Sequence, residues 1–162
     1  MKYSARTNRR DLLRIGAALM GGGLLAQQKI LALETPGKLG TPLGPYSQVA
    51  RVKAGEFLFI AGMVATDAGG NVIGEGDFLA QCKQTFANIE AALRSANAGW
   101  DNVVQFTTYL VHSQDIGKFM DFRRREFPGM FKGNVYPPNT LLMVDRLVKE
   151  AFLIEVQTIA AL

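Results

Sequence analysis

The sequence predicts an α+β domain, with two helices on one face of a mixed sheet, behind a separate N-terminal segment. Three observations predict it. Two stretches repeat apolar residues at helical spacing, five are rich in β-branched and aromatic residues, and turn residues divide them in the order β-β-α-β-α-β-β.

The first strand, Tyr46 to Val52, is short and mixed. Lys53-Ala54-Gly55-Glu56 then reads as a tight turn into the apolar run Phe57 to Ala61, which Gly62 breaks, so the two runs predict a hairpin. Asp67 to Gly76 holds four glycines and reads as a loop. From Asp77 to Asn97, Phe78, Cys82, Phe86, Ile89, Leu93 and Ala96 recur at steps of three and four, one face of a helix. Asp77 suits its N-cap and Gly99 follows its end. Val103 to Val111 is a β-branched and aromatic strand. A second helix spans Asp115 to Phe127, with Ile116, Phe119, Met120 and Phe127 apolar. Its run Arg123-Arg124-Arg125 reads as mostly solvated, and Pro128-Gly129 as its stop. Thr140 to Val144 and Phe152 to Ile159 are the last strands. In the latter, Leu153, Glu155 and Gln157 alternate with Ile154, Val156 and Ile159. Two helices cover only one side of such a sheet. The apolar residues left on the other side predict a homo-oligomer that closes sheet against sheet.

Residues 1–26 read as an export leader rather than as part of the fold. Thr7-Asn8-Arg9-Arg10-Asp11-Leu12-Leu13-Arg14 is a twin-arginine pattern, and Ile15 to Ala26 is a glycine-rich apolar stretch. At about a dozen residues that stretch is too short to span a bilayer as a helix. The expectation is export by the Tat route to the periplasm, with contact to a membrane only through an uncleaved leader. Ala26 and Ala32 both suit the last position of a leader, though neither has a small residue two places before it. Residues 27–43 read as a linker and 44–162 as the domain, and the Pro- and Gly-rich Glu34 to Pro45 that crosses this boundary reads as linker and then an ordered turn.

The formal charge of +4 sits in the leader, which holds five basic residues against one acidic. The remaining thirteen bases face thirteen acids, and a neutral body argues against a nucleic-acid partner. One Cys and one His exclude a disulfide framework and a multi-Cys or multi-His metal site. His112, at a strand end, belongs to no triad pattern, and Cys82 lies on the buried stripe of the first helix. Two features carry chemical interest. Gly44-Pro45-Tyr46-Ser47-Gln48 sets an aromatic hydroxyl beside a rigid turn. Glu155 lies in the apolar run Leu153-Ile154-Glu155-Val156, where burial would raise its pKa and suit it to proton handling.

Taken together, GPYSQ, the FLFIAG strand, the block from Ala80 to Val111 and the closing IEVQTIA resemble the Rid family, the reactive intermediate deaminases or YjgF-type proteins. The resemblance runs from about Gly40 to Ala160. It implies a chorismate-mutase-like fold, a homotrimer, and small-molecule sites in the clefts between subunits. Members with the full site hydrolyse enamines and imines such as 2-aminoacrylate, and no metal or organic cofactor is implied. Carried over residue by residue, Tyr46 matches the tyrosine of the GPY motif. Gly62 matches a glycine whose backbone helps hold the ligand, although Ala61 replaces the small polar residue that usually precedes it. Glu155 matches the acid that positions or activates the attacking water. Asn139 stands where deaminating members carry the arginine that grips the substrate carboxylate, and a neutral amide lacks that charge. Leu141 replaces a frequent cysteine. Arg123 falls at a site position that is often asparagine, and one extra residue lies between Leu147 and Glu155. The implied set is therefore catalytic Glu155 with Tyr46, Gly62, Asn139 and Arg123 around the substrate. The loss at Asn139 leaves an enamine or imine hydrolase and a non-catalytic binding protein as alternatives.

Overall fold

The computed structural model describes residues 30–162, so the leader expected over residues 1–26 lies outside the described residues. The element order is β1 (Ile30–Glu34), β2 (Val49–Lys53), β3 (Phe57–Met63), α1 (Phe78–Ser95), β4 (Val103–Leu110), α2 (Asp115–Met130), β5 (Asn139–Met143) and β6 (Ile154–Ala161). Strands β3-β6-β4-β5 form the main sheet, antiparallel except for the parallel pair β4/β5. The α+β architecture with a mixed sheet is thus the one expected. Buried residues of α1 and α2 pack on Phe106, Leu110, Ile154, Val156 and Ala160 of the sheet, around a cluster of Phe86, Phe122, Phe127 and Trp100.

Several local expectations change. The hairpin between Tyr46–Val52 and Phe57–Ala61 does not form. Strand β2 pairs antiparallel with β1, and β3 pairs with β6. The reason lies in the stretch read as a linker: Ile30–Glu34 is itself a strand and takes the backbone groups of β2 that β3 would have used. Gly62 does not end β3. The strand continues to Met63 through a register shift between Ile60 and Met63, a bulge for which a glycine is well suited. Helix α2 does not stop before Pro128 but runs to Met130. The missing N–H of Pro128 forfeits the carbonyl of Arg124, which lies on the exposed side, while Phe127 and Phe131 stay in the core. Asp77 caps α1 by accepting from Leu79 N and Ala80 N, both at 3.0 Å. At the other end Asn97, with φ of 54°, takes the left-handed position in place of Gly99.

The open face of the sheet carries Phe57, Phe59 and Leu142, with Phe59 72% exposed. Within β6, Thr158 rather than Ile159 continues the buried set Ile154, Val156 and Ala160, because strand sides alternate strictly by twos. Ile159 therefore joins Glu155 and Gln157 on the open side. There Ile159, Phe57, Phe59 and Gln105 line an apolar groove flanked by Ala50 and Val52 of β2.

Candidate functional site

Glu155 pairs with Tyr109 across β4/β6, between the buried residues Ile154 and Val156, so its side chain leaves the sheet away from the helices. It lies against the bulge of β3. A Cβ built on Gly62 would sit 1.8 Å from Glu155 Oε1 and 2.6 Å from its carboxyl carbon. The carboxylate thus fills the space where any other residue at 62 would place a side chain. Burial holds the Glu155 carboxyl above its ordinary value of 4.5. A half-buried acid with a raised pKa, set on exposed backbone, is equipped to hold and pass a proton.

Polar side chains of α1 fix both strands behind this pair. Gln81, fully buried, donates to Gly74 O at 3.2 Å and to Ala151 O at 2.7 Å, and accepts from Leu153 N at 2.8 Å. That anchors the entry to β6 two residues before Glu155. Asn88 donates to Val64 O and Thr66 O, each at 2.9 Å, and Gln84 to Thr66 O at 3.1 Å. These bonds anchor the exit from β3 just past Gly62. The sequence reading missed all three positioning residues. The available signal was that amides at 81, 84 and 88 follow the same three-and-four spacing as the apolar stripe.

A second group gathers on the helix side. The turn Gly44-Pro45-Tyr46 rests on α2, where a Cβ on Gly44 would lie 3.0 Å from Met120 Sδ. Tyr46 N bonds back to Gly44 O at 2.9 Å, and Ser47 N donates to Tyr136 O at 2.9 Å. The Tyr46 hydroxyl accepts from Leu43 N at 3.4 Å. Beneath the turn lies Arg123. The solvated run expected at 123–125 holds for Arg124 and Arg125 only, since Arg123 is 1% exposed. Helical phase explains the difference: Arg123 lies four residues from both Phe119 and Phe127 and shares their inward face. Its guanidinium carbon is 5.5 Å from the Phe119 ring centre and 4.9 Å from that of Phe127. Nη2 donates to Pro45 O, whereas Nε and Nη1 are buried without a hydrogen-bond partner. Burial lowers the Arg123 pKa to about 10, with Tyr46 pulling the other way.

Asn139 opens β5 opposite Phe106, and its Oδ1 accepts from the buried Thr108 hydroxyl at 2.8 Å. Thr108 belongs to the helix-covered face of β4, so Asn139 lies on that side too. The five residues singled out from the sequence therefore fall into two groups. Glu155 and Gly62 touch on the open face, while Tyr46, Arg123 and Asn139 belong to the covered side. Cys82 is fully buried, where desolvation pushes its thiol pKa up, and His112 is exposed. Among the described residues no His, Cys, Asp and Glu side chains group as a metal site.

Comparison with known proteins agrees with the fold. The family model described as Endoribonuclease L-PSP matches residues 38–162. A RutC family protein of Pyrococcus horikoshii, PH0854, is 37% identical over 119 residues, covering 74% of this chain and 88% of that protein. The crystal structure of the Rid family protein YyfB from Yersinia pestis superposes with a TM-score of 0.70 at 29% identity, covering 82% of this chain and 98% of that one. RidA from an Antarctic Psychrobacter superposes with a TM-score of 0.56 at 26% identity, covering 75% and 92%.

Proposed function

The chain belongs to the Endoribonuclease L-PSP family, the Rid or YjgF group, and from that premise we propose that it binds a small imine or enamine and hydrolyses it to a carbonyl compound and ammonia. The observation that carries this reading is the Glu155 carboxyl seated on Gly62 with its pKa raised. Glu155 takes a proton from water as the oxygen adds to the imine carbon. It gives that proton to nitrogen, completing the carbinolamine, then carries the hydroxyl proton to nitrogen as the C–N bond breaks, releasing ammonia and the carbonyl compound. One water is consumed for each ammonia released, and no electrons are exchanged.

The two groups of residues support a site shared between subunits. Glu155 and Asn139 leave the same sheet on opposite sides, so one chain does not close a pocket from both. A homotrimer that packs the open faces together buries Phe57 and Phe59, and a site that uses both groups draws them from different copies. Asn139 favours a second reading, a non-catalytic ligand-binding protein, because the amide carries no charge to grip a carboxylate. Ribonuclease action, which the family description names, is disfavoured by the neutral body. Ammonia release from a panel of imines, with Glu155→Gln as control, separates these readings. The expected result is activity that Glu155→Gln removes. Tight binding without ammonia release supports the second reading.

We extend the proposal to location: the twin arginines direct Tat export to the periplasm. Replacing Arg9 and Arg10 with lysine is expected to retain the protein in the cytoplasm, as read by fractionation.

A further inference from the structure

We propose that the groove between α1 and α2, on the outer side of the helix layer, binds a small organic cation with a flat apolar body, an arylalkylamine in kind. This site is separate from the acid on the open face and does not depend on the hydrolase reading. The groove encloses about 310 Å³, at the small end of ligand pockets. Phe86 of α1, Phe122 of α2 and Trp100 line it, with ring centres 5.2 Å apart for Phe86–Phe122 and 6.0 Å apart for Phe86–Trp100. Gly129 holds it open, because a Cβ built there meets nothing within 4 Å. Helical spacing places these residues. On α1 the stripe Cys82, Phe86, Ile89 and Leu93 is buried, so Lys83 and Glu90 fall on its outward flank. On α2, Phe122, Glu126 and Gly129 share one face. A trimer that packs the open faces of the sheet leaves this side free.

The charges along the groove select the ligand. Glu90, Glu126 and Lys83 are the ionisable groups that line it. Glu90 accepts from Arg94 at 2.9 Å on the surface. Glu126 is half-buried and forms no ion pair among the described residues, with Lys83 or with any other base. Its own helix supplies none. Gly129 and Met130 stand three and four places on, and Arg123, three places back, turns into the core. An unpaired carboxylate beside aromatic rings suits an ammonium group, which the ring faces attract and the carboxylate fixes. A neutral ligand gains the rings alone, and an anion meets two acids against one base. The aromatic lining calls for an apolar body on the ligand. A hydrated metal ion would need more oxygen donors than two acids give.

Trp100 is the single tryptophan of the chain, so its emission reports on the groove directly. The test titrates the full protein with phenethylamine, with neutral 2-phenylethanol and with anionic 3-phenylpropionate. Wild type is expected to show a saturable change with the amine and to prefer it over the alcohol by about 10-fold, the combined effect of a cation–π contact and an exposed ion pair. Glu126→Gln is expected to bring amine and alcohol within about 2-fold of each other. Gly129→Leu, which fills the open space, is expected to abolish the amine response. The wild-type arm needs no variant to fold. Equal binding of the three compounds, or no saturable change in wild type, overturns the proposal. So does a preference undiminished in Glu126→Gln, or amine binding that survives Gly129→Leu.

Discussion

Gly62→Ala is the sharpest test of the acid on the open face. A Cβ at 62 would start 1.8 Å from Glu155 Oε1, and real Cβ atoms come no closer than about 3.0 Å, so the oxygen must retreat by about 1.2 Å. The obstacle is the end of a flexible side chain, and the carboxyl can swing outward. The stability cost should therefore stay under about 1 kcal/mol, well below that of a core substitution. Function should suffer more, because misplacing a reacting group by about 1 Å costs on the order of 100-fold. Two assays check this. Thermal unfolding should show a small change, and imine hydrolysis should fall by about two orders of magnitude. Carbon-detected NMR titration adds a third measure. Moved outward, the Glu155 carboxyl regains water, and its raised pKa should drop back towards the ordinary 4.5. A Gly62→Ala protein that keeps wild-type hydrolysis and wild-type titration of Glu155 would refute the idea that this glycine seats the acid.

Three further outcomes are expected. Phe59→Lys places a charge on the most exposed phenylalanine of the open face, and light scattering should show the proposed trimer reduced to monomer. Asp77→Ala removes the acceptor for Leu79 N and Ala80 N and should cost about 1 kcal/mol in chemical denaturation. Glu155→Gln should change the pH dependence of stability. The folded state holds its proton more tightly than the unfolded one, so wild-type stability falls as pH rises from 4.5 through the raised value, and the glutamine variant should lack that decline.

Much of this arrangement was legible in the sequence. The α1 stripe, its Asp77 cap and the apolar strands follow from spacing and residue type, because packing against one face imposes a period that composition reveals. Partner choice was not legible. The pairing of β2 with Ile30–Glu34 in place of β3 depends on a distant strand competing for the same backbone groups, and a short turn alone suggests a hairpin. Nor did charge reveal position. A run of three arginines reads as solvated, yet helical phase buries the first and exposes the next two, and only the neighbours Phe119 and Phe127 show which residue turns inward. The contact between Gly62 and Glu155 spans most of the domain in sequence. It depends on a bulge whose place the residue types do not reveal.

The stretch between Leu147 and Glu155, where the family resemblance implies one extra residue, shows how strictly the site depends on strand parity. Side chains alternate by twos, so an insertion inside β6 would send Glu155 into the core and Ile154 to the open face. The structure places the irregular stretch between Val148 and Ala151, outside any strand, and the buried amide of Gln81 takes up Leu153 N directly after it. Register is thus reset before the acid is reached. Glu155 stays opposite Tyr109, on the far side of the sheet from Asn139 and from the helix that carries Arg123. The same parity keeps the acid and the buried cation of one chain on opposite sides of the sheet. A ligand that touches both must lie where the open face of one copy meets the turn of another. On this reasoning assembly is a condition of the chemistry. A variant that dissociates the proposed trimer should lose the proposed hydrolysis even with every site residue intact.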